Sequence, residues 1–294
     1  SNYWGFVNKK DFVNKSFFNF INRLLLFFLK IKIIRKPSNL RPEQESYLSN
    51  NLIKLRNKEL AIYLLNFFKS ANFKTNRSQI LKHIKEFEKT FKIQPISNLN
   101  KGMGYNNSLI TFIIIKLISP KNIIESGVLR GYSTYLIEKS INKKAKIYAY
   151  DINFSLREYK SKKAIYFESD VTHDDSINSR NFDLAIFDDH VSHLDRILFS
   201  KENNIKYIIL DDDVSVFTLH SDGWPPIPTA NMIYNYGKIP KTFDWTYKNN
   251  LAKARIKNLN KINLRKDYKY LQYPNLFNYT GYKNTSETSI LIKL

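Results

Sequence analysis

The stretch from Lys121 to Asp151, KNIIESGVLRGYSTYLIEKSINKKAKIYAYD, constrains the fold of this chain more than any other. Its apolar run from Asn122 to Glu125 reads as a short buried strand, Glu125 to Gly131 as a turn, and Tyr132 to Ser140 as a helix. Ile147 to Tyr150 reads as a second strand, closed by Asp151. Ser133 and Thr134 suit the first turn of the helix. Gly127 and Gly131 let backbone come close to another group with no Cβ in the way. The helix start adds free N–H groups and a partial positive charge. Asp151, at the tip of the second strand, can hold a ribose through its two hydroxyls.

Three more strands extend the pattern: Ala164 to Glu168, Phe182 to Phe187 and Ile205 to Leu210. Helical stretches are expected after Asp151 and over Val191 to Phe199. Strands alternating with helices build a mostly parallel sheet covered on both faces. Ligands of such sheets sit at the carboxyl ends of the strands, where Glu125, Asp151, Asp170, Asp188 and Asp211 fall. Tyr268 to Tyr273 and Ser289 to Leu294 form a terminal antiparallel pair.

Glu125-x-Gly127-x-x-x-Gly131, followed one βα unit later by Asp151, resembles the first motif and ribose acid of the class I S-adenosylmethionine (SAM) methyltransferases. Leu129 stands where many members carry a middle glycine. The resemblance implies an α/β fold with a doubly wound, mostly parallel seven-stranded sheet, and SAM as cofactor. It implies cofactor contacts at Glu125, Gly127, Gly131, Tyr132, Ser133 and Asp151, with Asp170 facing the adenine. It also places Gly102, Gly104 and Tyr105 over the methionine end. The dinucleotide fingerprint G-x-G-x-x-G is absent, which argues against NAD.

Two acidic clusters end neighbouring strands: Asp188-Asp189-His190 and Asp211-Asp212-Asp213. Carboxylates this dense repel unless a cation or a proton sits among them, and oxygen-rich sites suit Mg²⁺ or Ca²⁺. Here the chain is loosely similar to macrocin-type sugar O-methyltransferases. That similarity implies a metal on Asp188 or Asp189 with Asp211 and Asp212, and a catalytic base at His190 or His193 beside Asp188. The alternative is surface carboxylates at strand ends and a helix N-cap. The Asn/Asp-Pro-Pro-Tyr/Phe signature of adenine amino-methyltransferases is missing, so nucleobase methylation is disfavoured. His220 to Ala230 reads as a stiff loop in which Trp224 either shapes an acceptor pocket or packs on the surface.

Charge divides the chain. Residues 101–240 hold 17 bases and 17 acids, whereas residues 1–100 hold 19 Lys and Arg against 6 acids and residues 241–294 hold 11 against 3. We expect a basic helical region over 1–100 and a SAM-binding domain over 101–294. Residues 12–34 read as an amphipathic helix, too charged to span a bilayer. It is either interfacial, giving peripheral membrane contact through residues 12–36, or packed on the main domain or on a second subunit of a homo-oligomer. Helices are also expected from Glu43 to Ala71, from Asn76 to Phe91, and up to Leu117 from a cap at Asn107 or Ser108. Four of eight glycines lie between Gly102 and Gly131, so both turns are expected to need them. There are no cysteines and hence no disulfides. No signal-peptide cleavage site follows the apolar stretch. A cytoplasmic protein is expected, peripheral at the inner membrane face if the helix is interfacial. The leading expectation is a SAM-dependent O-methyltransferase acting on a hydroxylated small molecule, a sugar or glycan precursor. The rivals are a non-catalytic module binding membrane or nucleic acid through its basic flanks, and a nucleic-acid methyltransferase.

Overall fold

The computed structural model describes residues 50–97, 102–216, 226–236, 239–247, 250–284 and 286–294. The expected helix at 12–34 and most of the loop around Trp224 lie outside these. Seven strands form one sheet: β1 (Asn122–Ser126), β2 (Lys146–Tyr150), β3 (Ala164–Phe167), β4 (Leu184–Phe187), β5 (Tyr207–Leu210), β8 (Tyr268–Gln272) and β9 (Ser289–Lys293). Their order is β3-β2-β1-β4-β5-β9-β8. The first five are parallel, and β9 runs antiparallel to both β5 and β8. Between β5 and β8 in sequence, β6 (Thr242–Tyr247) and β7 (Asn250–Arg255) pair as a separate hairpin.

The strands are short and apolar because both faces are covered, as parallel sheets require. All four residues of β4 are buried, as are the last four of β1 and of β2. Side chains alternate between the faces. Ile123, Ile147, Ile186 and Ile209 pack beneath four helices: α1 (Asn50–Ser70), α2 (Arg77–Lys92), α3 (Tyr105–Ile118) and α4 (Tyr132–Ser140). Ile124, Tyr150, Ala185 and Ile208 face the other way, toward α5 (His193–Glu202) and α6 (Ala230–Tyr236). The apolar faces of α1 and α2 therefore share a core with the sheet. No helix among the described residues is long and apolar enough to cross a membrane.

Several local expectations are corrected. α3 begins at Tyr105 with Gly104 at its N-cap, not at Asn107 or Ser108. The polar groups of that first turn go to tertiary contacts instead: Asn106 Nδ2 donates to Tyr282 O at 2.7 Å and Asn107 Nδ2 to Ser286 O at 3.0 Å. Residues 152–163 form turns rather than a helix. Asp151 Oδ1 accepts from Asn153 N and Asn153 Oδ1 from Ser155 N, local bonds that compete with helix formation. The expected cap at Asn76 is present, accepting from Gln79 N at 3.0 Å. The hairpin β6–β7 and the helix α6 were not anticipated.

The register levels the strand ends. Ser126 lies opposite Tyr150 and Phe187, and Phe187 opposite Leu210. One residue further, Gly127 N donates to Tyr150 O, Asp188 N to Ser126 O and Asp211 N to Phe187 O. Gly127, Asp151, Asp188 and Asp211 thus stand in one row along the carboxyl edge.

Candidate active site

The glycine turn needs its glycines for its own packing. Gly127 has φ +93°, and a Cβ there would lie 2.1 Å from the carbonyl oxygen of Asp188. Gly131 has φ +85°, and a Cβ would lie 2.7 Å from Tyr159 O. Leu129 adopts φ +47°, so the backbone keeps a left-handed conformation where the resembling family often has glycine. The earlier turn differs. Gly104 has φ −65°, open to any residue, and a Cβ on Gly102 would meet only the Tyr132 ring at 3.6 Å. The expectation of a backbone-demanding turn there is corrected.

Asp151 holds the turn together. Its Oδ2 accepts from Val128 N (2.8 Å) and Leu129 N (2.9 Å), and its Oδ1 from Asn153 N (3.1 Å). A carboxylate offers about four acceptor positions, so one remains, on Oδ1, for a ligand hydroxyl. Behind the turn, Glu125 is buried and its carboxyl is pushed up to about 7, by burial first, with the hydroxyls of Ser133 and Thr134 opposing. Thr134 Oγ1 donates to Oε2 at 2.7 Å, while the buried Oε1 accepts no hydrogen bond. Glu125 therefore lies under the turn rather than at its surface.

At the ends of β4 and β5, ligand atoms of Asp188, His190 and Asp212 lie within 4.8 Å of one another. His190 Nδ1 is 3.4 Å from Asp212 Oδ2, and the histidine side chain is 51% exposed. His190 (φ +57°) and Asp212 (φ +55°) are both left-handed, which turns their side chains back toward Asp188. Burial, then the charges of Asp211, Asp212 and Asp189, push the Asp188 carboxyl well above the usual carboxylate range.

The other expected ligands and base are elsewhere. Asp189 turns away: its Oδ1 accepts from Val191 N and its Oδ2 lies 2.8 Å from Arg196 Nη2. Asp211 is buried, and its Oδ1 accepts from the hydroxyls of Ser286 and Thr288. Burial, then Asp212, push its carboxyl up to about 6. His193 is 2% exposed; Nε2 donates to Asp211 O at 2.9 Å and Nδ1 accepts from Ala230 N at 3.2 Å. With both nitrogens engaged inside the protein, it is not placed to take a proton from an acceptor. Asp170 is clamped by Arg196 and by Thr172 N, so it faces α5. Tyr132 and Tyr105 are core residues, the latter stacked on Tyr282 at 4.1 Å.

Two buried residues have roles that the sequence reading did not assign, Asp213 within its acidic cluster and Arg196. Asp213 takes Asn231 N (2.7 Å) and Tyr270 OH (2.9 Å), fixing α6 beneath the cluster. Arg196 joins Asp170 to Asp189. Its only signal in the sequence was an Arg among the residues of the buried helix face, which also carries His193 and Ser200.

No protein-family model matches the sequence, and no curated protein matches it. Solved structures that it resembles include an O-methyltransferase from Bacillus cereus in complex with SAH, at 13% identity over 71% of this chain and 91% of that one, TM-score 0.41. TomG, an O-methyltransferase from Streptomyces achromogenes in complex with SAM, is 11% identical over 78% of this chain and 95% of that one, TM-score 0.38. A methyltransferase from Geobacter sulfurreducens is 9% identical over 73% of this chain and 88% of that one, TM-score 0.42. The chain's own sheet order, its antiparallel β9 and the glycine turn between β1 and α4 give it a class I methyltransferase-like fold.

Proposed function

We propose that the chain is a SAM-dependent O-methyltransferase acting on a hydroxylated small molecule, a sugar or glycan precursor. The observation that carries this reading is the level carboxyl edge. It sets Asp151 and the glycine turn beside the Asp188–His190–Asp212 group on adjacent strands. When bound, SAM supplies an electrophilic methyl on a sulfonium. Asp151 would orient the ribose through the free position on Oδ1, and the left-handed turn holds its N–H groups toward the carboxylate. Two carboxylates and an imidazole suit a divalent cation, which Asp188, Asp212 and His190 would hold. Without a cation, His190 takes the acceptor's proton, its ring oriented by Asp212 at Nδ1.

Calorimetry with SAM tests the cofactor. Asp151→Ala should weaken binding by roughly 1.5–3 kcal/mol, the worth of hydrogen bonds to a charged group. Absence of binding to the parent chain, or equal binding to a folded variant, defeats the reading.

The cation has its own signature. A carboxyl raised to about 6, as for Asp211, contributes stability that is complete below the unfolded value of about 4 and is lost as pH rises through 6. Melting temperature should therefore fall between those limits, and millimolar Mg²⁺ or Mn²⁺ should restore it at neutral pH. Asp212→Asn should abolish that restoration. Melting indifferent to Mg²⁺, Mn²⁺ and Ca²⁺ would remove the cation and leave His190 as the base.

A further inference from the structure

The opposite edge of the sheet carries the reverse charge. Where β1 and β2 begin, a cleft of about 830 Å³ is lined by Lys121, Lys143, Lys144, Lys146 and Arg180, and by no acid. Lys143 and Lys144 stand on the exposed turn between α4 and β2, and Lys146 is the exposed first residue of β2. Arg180 is more firmly held: its guanidinium lies 4.8 Å from the centre of the Tyr148 ring, and Nη1 donates to Asp174 Oδ2 at 3.0 Å. The four lysines form no ion pair among the described residues. Asp183 adjoins the cleft, but its carboxylate accepts the backbone N–H groups of Lys121 (2.6 Å) and Asn122 (3.2 Å).

The fold supplies some negative potential here, because α3 and α4 both end at this edge. Their last turns are closed by Ser119 N to Ile115 O and Ile141 N to Ile137 O. Two helix C-termini amount to roughly one negative charge together. With Arg180 already paired, four lysine charges outweigh that and the Asp183 carboxylate by about two. Like charges gathered in a concavity repel, and field lines focus there. A ligand of matching charge relieves the repulsion. The volume falls in the range of small-molecule sites, roughly 300–1,000 Å³.

We propose that this cleft binds a small molecule through a diphosphate group. A diphosphate matches the excess of charge and offers several oxygens to separate ammonium groups, whereas a carboxylate offers one charge. The site is independent of methyl transfer, since it lies at the other end of the same strands.

The test is equilibrium titration of the full chain at low salt with inorganic pyrophosphate, uridine diphosphate and uridine. The two diphosphates should bind saturably and uridine should not. Added salt should weaken both. Lys143→Glu with Lys146→Glu should weaken binding by about tenfold or more, equivalent to one charge-assisted contact. Lys121→Gln should weaken it less, and saturating SAH should change nothing. Both reversed lysines are exposed, so the variant should melt with the parent. Three outcomes overturn the proposal: no saturable diphosphate binding up to millimolar concentration, equal binding by the reversal variant, or binding of a single-stranded RNA oligomer alone.

Discussion

Gly127→Ala should lower the stability of the chain by about 3 kcal/mol or more, the largest effect expected of any single methyl group here. Two terms add. An L-residue pays roughly 1–2 kcal/mol for left-handed backbone, and φ +93° lies beyond the region such residues reach comfortably. The second term is overlap. The new Cβ would sit 2.1 Å from Asp188 O and 2.4 Å from Asp188 C. Those atoms are backbone at the end of β4, not the tip of a flexible side chain, so the strand end or the turn must move. Either movement breaks the ladder that Asp188 N makes to Ser126 O. It also displaces Asp188 from His190 and Asp212, so SAM affinity and any cation response should fall together. Gly131→Ala should be milder, because its Cβ would meet the carbonyl of Tyr159 at 2.7 Å, on a turn rather than a strand. Denaturant midpoints decide this: a Gly127→Ala midpoint equal to the parent's, or above that of Gly131→Ala, contradicts the packing role.

That glycine shows how far the sequence can be read. The strand-turn-helix-strand reading of 121–151 is legible because periodicity and glycine placement are local signals, and the structure follows it nearly residue for residue. Glycine identity alone did not distinguish a turn that needs it from one that does not, as Gly102 and Gly104 show; φ and the neighbouring strand decide. The acidic clusters were legible as a row but not as a site. Asp188, Asp189, Asp211 and Asp212 are equivalent in the sequence. Left-handed backbone at Asp212 and His190 accompanies the approach of those two side chains to Asp188, hydroxyls of Ser286 and Thr288 in the segment before β9 capture Asp211, and an arginine six residues beyond His190 captures Asp189. Each selector is a tertiary contact. The missed hairpin β6–β7 had a weak signal: alternating runs on either side of Lys248-Asn249. The lost helix after Asp151 went the other way, since Asn153 and Ser155 favour turn bonds that helical spacing does not reveal.

Arg196→Met should destabilise the chain by about 3 kcal/mol at neutral pH, and the deficit should be pH-dependent in a defined direction. The guanidinium is 1% exposed and holds Asp170 through Nη1 (3.1 Å) and Nη2 (2.6 Å), with Asp189 Oδ2 at 2.8 Å from Nη2. Removing one partner of a buried pair costs roughly 3–5 kcal/mol, because the remaining charges keep their desolvation without compensation. Asp170 retains a quarter of its exposure, which places the expectation at the low end. Despite partial burial, Arg196 and Thr172 hold the Asp170 carboxyl well below the usual carboxylate range. A depressed folded value contributes stability above the unfolded value of about 4, and that contribution is lost as pH falls through the folded value. The gap between parent and variant should accordingly be full at pH 7 and shrink as pH drops below 4. Adding Asp170→Asn to Arg196→Met should recover part of the loss, since a neutral amide is cheaper to leave unpaired than a carboxylate. The same clamp bears on the cofactor. With both oxygens of Asp170 on Arg196 and Oδ1 also on Thr172 N, the carboxylate is committed to α5. Asp170→Asn should therefore lower the melting temperature more than it weakens SAM binding. The opposite ranking, a binding loss at unchanged melting, would restore Asp170 to the adenine and show that the Arg196 contacts yield when the site fills.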